Sequence, residues 1–204
     1  MPHLDRARWQ PIAVIVVATL CYCLSEYRSP FDHPTWDGVL FYLAIPAITL
    51  LALGSKPSEW GLGLGRWRRT VGLTLALAAG EVLLLLAAIR LPSVQRYYAR
   101  LGPQEGMLWP WVGFLTIDMF AWEFFFRGFM LSGLEPALGE MSIYVQMIPF
   151  AIAHLGKPEI ETLSSIAGGI LIGYVVRYCG SLWPAFVLHL IMGLVMYNFK
   201  FASS

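Results

Sequence analysis

The sequence predicts an all-α protein: a polytopic membrane helical bundle of about seven to eight transmembrane helices, by the length of apolar chain that a crossing needs. Three observations carry that reading. Hydrophobic residues make up 57% of the chain and charged ones only 13%, about half the charged share of an ordinary soluble domain. The apolar runs are long and unalternated, whereas a membrane β-barrel shows short alternating segments. The runs are broken by clusters of proline, glycine and charge, as expected of helices joined by loops. A net charge of +1 gives no reason to expect a nucleic-acid partner.

The first run, 10–26, follows Arg6 and Arg8 and imitates a secretory signal. Ser25-Glu26-Tyr27 offers no small-x-small cleavage site, so the run reads as a retained helix. Cys21 and Cys23 sit two apart on that helix and point to different sides; with Cys179 they read as packing residues. A polar loop with Pro30 and Pro34 follows, in which His33 reads as solvated. The second run, 37–54, carries Pro46 as a kink. Residues 55–69 mix Trp60 and Trp67 with Lys56, Arg66, Arg68 and Arg69, a combination suited to the headgroup level, and read as a cytoplasmic linker.

The third run, 70–91, contains Glu81. A carboxyl at that depth is either functional or hydrogen-bonded inside the bundle, and the residues leave both open. An amphipathic stretch with Arg96, Tyr97, Tyr98 and Arg100 follows. The fourth run, 107–133, is long and begins with the interfacial turn Trp109-Pro110-Trp111; a loop with Pro136 and Gly139 ends it. The fifth run, 143–155, is short and breaks at Pro158. The sixth, 160–178, repeats Ser165, Gly169 and Gly173 every fourth residue, a ladder that lets helices approach closely. The seventh, 181–199, tolerates Pro184 in its first turn. One membrane domain is expected, with N-terminal helices and interfacial linkers over 1–106 and a core over 107–204. Arg6, Arg8 and the basic linker place the N-terminus in the cytoplasm of a multi-pass protein of the cell (plasma or inner) membrane.

The chemistry concentrates in DMFAWEFFFRGFM, residues 118–130, which holds Asp118, Glu123 and Arg127 in an apolar run. Charges at bilayer depth face inward, pair, and mark functional sites. Glu123 and Arg127 are four apart and share a helix face. His154 closes FAIAH, and His189 stands in FVLHL, each on a later run. Peptide hydrolysis needs a base for water, a donor for the oxyanion and an acid for the leaving amine. Glutamate and histidine can serve as base and acid; a second histidine or a cation can serve as donor. Glu123, His154 and His189 are also an alternative set of three zinc ligands, but no HExxH pair occurs, and a metal-free site is expected. No GxSxG motif points to a serine nucleophile.

At these residues the chain resembles the CPBP intramembrane proteases, the group related to the Rce1-type CAAX prenyl protease and to bacteriocin-processing and immunity proteins. The family pattern EExxxR, FxxxH and HxxxN meets WEFFFR at 122–127, FAIAH at 150–154 and HLIMG at 189–193. The stretches 57–67, 154–174 and 180–189 are similar to bacterial members as well. The resemblance implies a helical membrane protease, with Glu123, His154 and His189 as catalytic residues supported by Arg127 and Phe150; the spacing of the chain adds Asp118 and Glu161 as further supporting residues. The family's first glutamate, the one assigned to activating water, falls at Trp122, and its oxyanion-binding asparagine at Gly193; Asn198, nine residues past His189, is expected on the far side of that helix. Glu123 is then the expected base, with His154 orienting it or sharing its proton. Asp118, one turn before Trp122, is a second candidate, and Glu161 and Glu159 a third. Phe124, Phe125, Phe126 and Phe150 are expected to line an apolar cleft for a membrane-associated peptide or protein substrate. The competing expectation is an inactive scaffold or immunity protein that binds peptides or partner helices. Glu81 alone would suit a proton-coupled transporter, but no inverted repeat is visible.

Overall fold

The computed structural model describes residues 6–101 and 107–198, and side chains within 9–101 and 107–197. Arg6, Arg8 and Asn198, singled out in the sequence, have side chains outside the described residues. Every described element is helical, and the fold is an all-α bundle. The helices are α1 (Arg6–Tyr27), α2 (Pro34–Ala52), α3 (Trp67–Ala88), α4 (Pro92–Tyr98), α5 (108–138), α6 (Met141–Ile152), α7 (Glu159–Cys179) and α8 (Trp183–Asn198). Among the described residues, α2, α3, α7 and the Trp9–Tyr27 part of α1 are long and apolar enough to cross a membrane. The shorter α6 and α8 are apolar too. In α5, Asp118, Glu123 and Arg127 interrupt the apolar run.

Local departures from a plain α-helix have identifiable causes. In α2, Val39–Ala44 forms a wide π turn just before Pro46, so the expected kink takes this form. The Ile45 N–H reaches back to Leu40 O, which accommodates the proline's missing donor and its bulky ring. In α5 the α-helix runs over Leu108–Glu123, gives way to a π turn over Phe124–Leu131, and resumes over Ser132–Leu138. All eight residues of that π turn are buried. The expected loop from 134 is helical as far as Leu138: Pro136 sits five residues past the π turn, and the helix ends at Gly139, whose φ is +53°.

Three contacts fix the bundle. On α7, Gly169 and Gly173 let α6 approach, with Ile143 and Phe150 filling the space, and Gln146 donates to Gly169 O at 3.2 Å. On α1, Gln10 donates to Gly133 O at 2.9 Å and ties α1 to the end of α5. The 55–66 linker docks on the α7–α8 turn: Leu182 N–H donates to Gly61 O at 2.9 Å and the Trp183 indole to Leu62 O at 2.8 Å. Gly65 has φ +54°, and a Cβ there would lie 2.2 Å from Cys179 O, so only glycine fits. Trp60 therefore turns into the protein rather than toward lipid headgroups: it is buried edge-on against Phe124 at 5.8 Å, while Trp67 stays exposed. His33 is likewise not freely solvated, but tucked against Phe114 at 5.0 Å.

Candidate active site

The site is assembled where α5, α6 and α8 meet. Glu123 closes the α-helical part of α5, and Arg127 follows within the π turn. His154 lies just past the end of α6, and His189 is on α8. All four line one cavity of about 590 Å³, as do Phe150 and Glu161.

The carboxylate of Glu123 is held at both ends. Its Oε1 accepts from His189 Nδ1 at 2.6 Å, and its Oε2 lies 3.3 Å from Arg127 Nε. Both Arg127 and Glu123 side chains are at most 2% exposed, so charge and counter-charge are buried together. The guanidinium stacks on Phe150, its Cζ 4.2 Å from the ring centroid. Its Nη1 is buried without a hydrogen-bond partner. His154 Nδ1 lies 2.8 Å from Phe150 O. A carbonyl only accepts, so Nδ1 carries the proton and Nε2 is left as the acceptor. In His189 the carboxylate likewise claims Nδ1 and leaves Nε2 free. The two imidazoles lie nearly parallel, 21° apart, with centroids 6.2 Å apart.

The expected residues are thus brought together, but not with the expected partners. Glu123 bonds His189 rather than His154, whose Nδ1 is committed to its own helix. Asp118 faces away: it takes a 3.4 Å hydrogen bond from Thr35 of α2 and does not line the cavity. Phe124, Phe125 and Phe126 are in the packed core, and Phe150 alone of the four phenylalanines lines the cavity. Glu161 is held by Lys157 and by the Tyr98 hydroxyl, each at 2.8 Å, and the second bond ties α4 to α7. Glu159 is exposed. Glu81 of α3 also lines the cavity, and its place opposite α5 had no signature beyond its depth in an apolar run.

Both positions that depart from the family pattern are filled by apolar groups. The Trp122 ring stands edge-on to both imidazoles, 6.2 Å from His154 and 6.3 Å from His189. A Cβ on Gly193 would meet Leu115 at 3.3 Å. As for metal, among the described residues no three His, Cys, Asp or Glu side chains converge as a ligand set. Zinc on Glu123, His154 and His189 would have to break the 2.6 Å bond between two of its ligands.

The family model described as "Type II CAAX prenyl endopeptidase Rce1-like" matches residues 104–195. That span carries the 122–127, 150–154 and 189–193 segments, so the family match and the motif resemblance fall on the same residues. The chain is thus an all-α bundle with helices long and apolar enough to cross a membrane, and its C-terminal half is similar to the CAAX-protease-like family. No curated protein and no solved structure matches the chain.

Proposed function

We propose that this protein is an intramembrane endopeptidase that hydrolyses a peptide bond of a membrane-associated peptide or protein without a metal. The observation that carries the reading is the 2.6 Å bond between Glu123 Oε1 and His189 Nδ1 inside a cavity shared with His154. In this reading Glu123 is not itself the base. Its carboxylate fixes His189 in the tautomer whose Nε2 takes a proton from water, and it stabilises the imidazolium that forms. The oxygen of that water attacks the substrate carbonyl carbon. His154 Nε2 accepts the other water proton as a hydrogen bond and orients the lone pair. The spare donor at Arg127 Nη1 serves the oxyanion. His189 then returns its proton to the leaving amine as the carbon–nitrogen bond breaks. In this reading the N-terminus is cytoplasmic, and two crossings by α1 and α2 bring the basic 55–69 linker back to that side.

A second reading has its own observation. Trp122 and Leu115 fill the space beside the histidines and Gly193, as in a binding protein that has given up its chemistry. Reconstituted protein incubated with a broad set of membrane peptides separates the two. The peptidase reading expects products from wild type and loss of rate of about 10²–10⁴-fold in His189→Gln. Peptides that bind but are never cut favour the scaffold.

A further inference from the structure

The chemistry above leaves two acidic groups of the cavity unused, Glu161 and Glu81, and of the two Glu81 has no ion pair among the described residues. It stands in the interior of α3, and its Oε2 is buried with no hydrogen-bond partner. The other charged side chains lining the cavity are committed: Arg127 pairs with Glu123, and Glu161 with Lys157 and Tyr98. Among the described residues Glu81 forms no ion pair. The cavity lining is mostly hydrocarbon, with Leu77, Leu84 and Leu85 on the same helix and Leu188 and Met192 on α8; the hydroxyls of Ser164 and Ser165, also in the lining, bond carbonyls of their own helix.

A carboxyl on such a wall is costly as a bare anion, and it escapes the cost either by holding a proton or by meeting a cation, which it can do when a ligand brings one. The complement to one acidic oxygen on an apolar wall is a compact cationic donor at the end of a hydrocarbon stem. A lysine side chain has that form: its methylenes match the leucines, and its ammonium needs no bidentate partner. We propose that Glu81 determines specificity by receiving a lysine side chain of the bound membrane peptide, while the backbone of that peptide lies across His189. The placement of the backbone rests on the peptidase reading; the recognition of lysine by Glu81 does not.

The test uses the full chain in nanodiscs and hydrophobic peptides identical except at one position. That position is walked along the peptide as lysine, Nε-acetyl-lysine, norleucine or glutamate. A photoreactive group reports binding, and mass spectrometry reports cleavage separately. At one position the lysine peptide should bind roughly tenfold better than the norleucine peptide, the scale of one charge-assisted hydrogen bond. Acetyl-lysine should lose that advantage on wild type, a readout that needs no variant. Glu81→Gln should abolish the lysine advantage yet still bind the norleucine peptide, which also shows that it is folded. Equal binding of lysine and norleucine peptides at every position overturns the proposal, as does a lysine preference that survives Glu81→Gln. A lysine preference that depends on Glu81, with no peptide cleaved, upholds the site and removes the peptidase reading instead.

Discussion

Arg127→Met is the perturbation whose size follows most directly from the structure. Methionine keeps much of the arginine's bulk and removes its charge, so Glu123 is left buried without a counter-charge. Breaking one side of a buried pair costs about 3–5 kcal/mol. Two contacts set the position within that range. Glu123 Oε1 keeps its 2.6 Å bond from His189, which favours the lower end. The guanidinium also leaves the face of Phe150, 4.2 Å away, a contact worth up to about 2 kcal/mol when desolvated, which favours the upper end. The single variant should therefore lose about 4 kcal/mol. The double variant Glu123→Gln/Arg127→Met buries no charge and should recover at least about 2 kcal/mol of that loss. Reversible unfolding in mixed micelles, followed by tryptophan fluorescence, measures both. A single variant within about 1 kcal/mol of wild type, as for exposed pairs, would refute the buried-pair argument. So would a double variant that loses the sum of the two singles.

Four further outcomes are expected. Glu123→Gln should slow cleavage by about 10²–10⁴-fold, while Asp118→Asn, whose carboxylate faces Thr35, should cleave at close to the wild-type rate; the reverse order in a peptide assay would relocate the site. Gly173→Val places a Cβ 2.8 Å from Ile143 Cγ2 and should cost about 1–3 kcal/mol by the same unfolding measurement, with an unchanged midpoint as the contrary result. Gly65→Ala must move the linker away from Cys179 O, so limited proteolysis should cut 55–69 faster than in wild type, and an unaltered digestion pattern contradicts the docking described. A zinc chelator should leave the peptidase rate unchanged; a rate lost to the chelator and restored by zinc would reverse the metal-free mechanism.

Much of the architecture was legible because lipid as a solvent demands long apolar runs, and loops must break them. Each of the seven runs read from the sequence corresponds to a helix, and the four-residue ladder on α7 packs on α6. Partner choice was less legible. Helical spacing correctly put Asp118 and Trp122 on similar sides of α5, but spacing gives relative rotation and not which neighbour that side meets. Here Asp118 meets α2, while the Trp122 ring meets the imidazoles. The π turn after Glu123 has no compositional signature; all eight residues of FFFRGFML are buried, and of them Arg127 lines the cavity while Phe124–Phe126 pack in the core. Trp60 looked interfacial by type; the turn at Gly61 and Gly65 folds its segment back against α5 and the α7–α8 turn, a long-range contact that composition does not encode.

The central claim is that the Glu123–His189 pair, with His154, activates water for peptide hydrolysis. The most direct measurement is cleavage in water enriched in oxygen-18 by protein reconstituted in liposomes, with mass spectrometry of both products. The account predicts one heavy oxygen in the new carboxyl group in a single turnover, and little product from Glu123→Gln or His189→Gln at matched protein. Labelled product formed by both variants at the wild-type rate would contradict it.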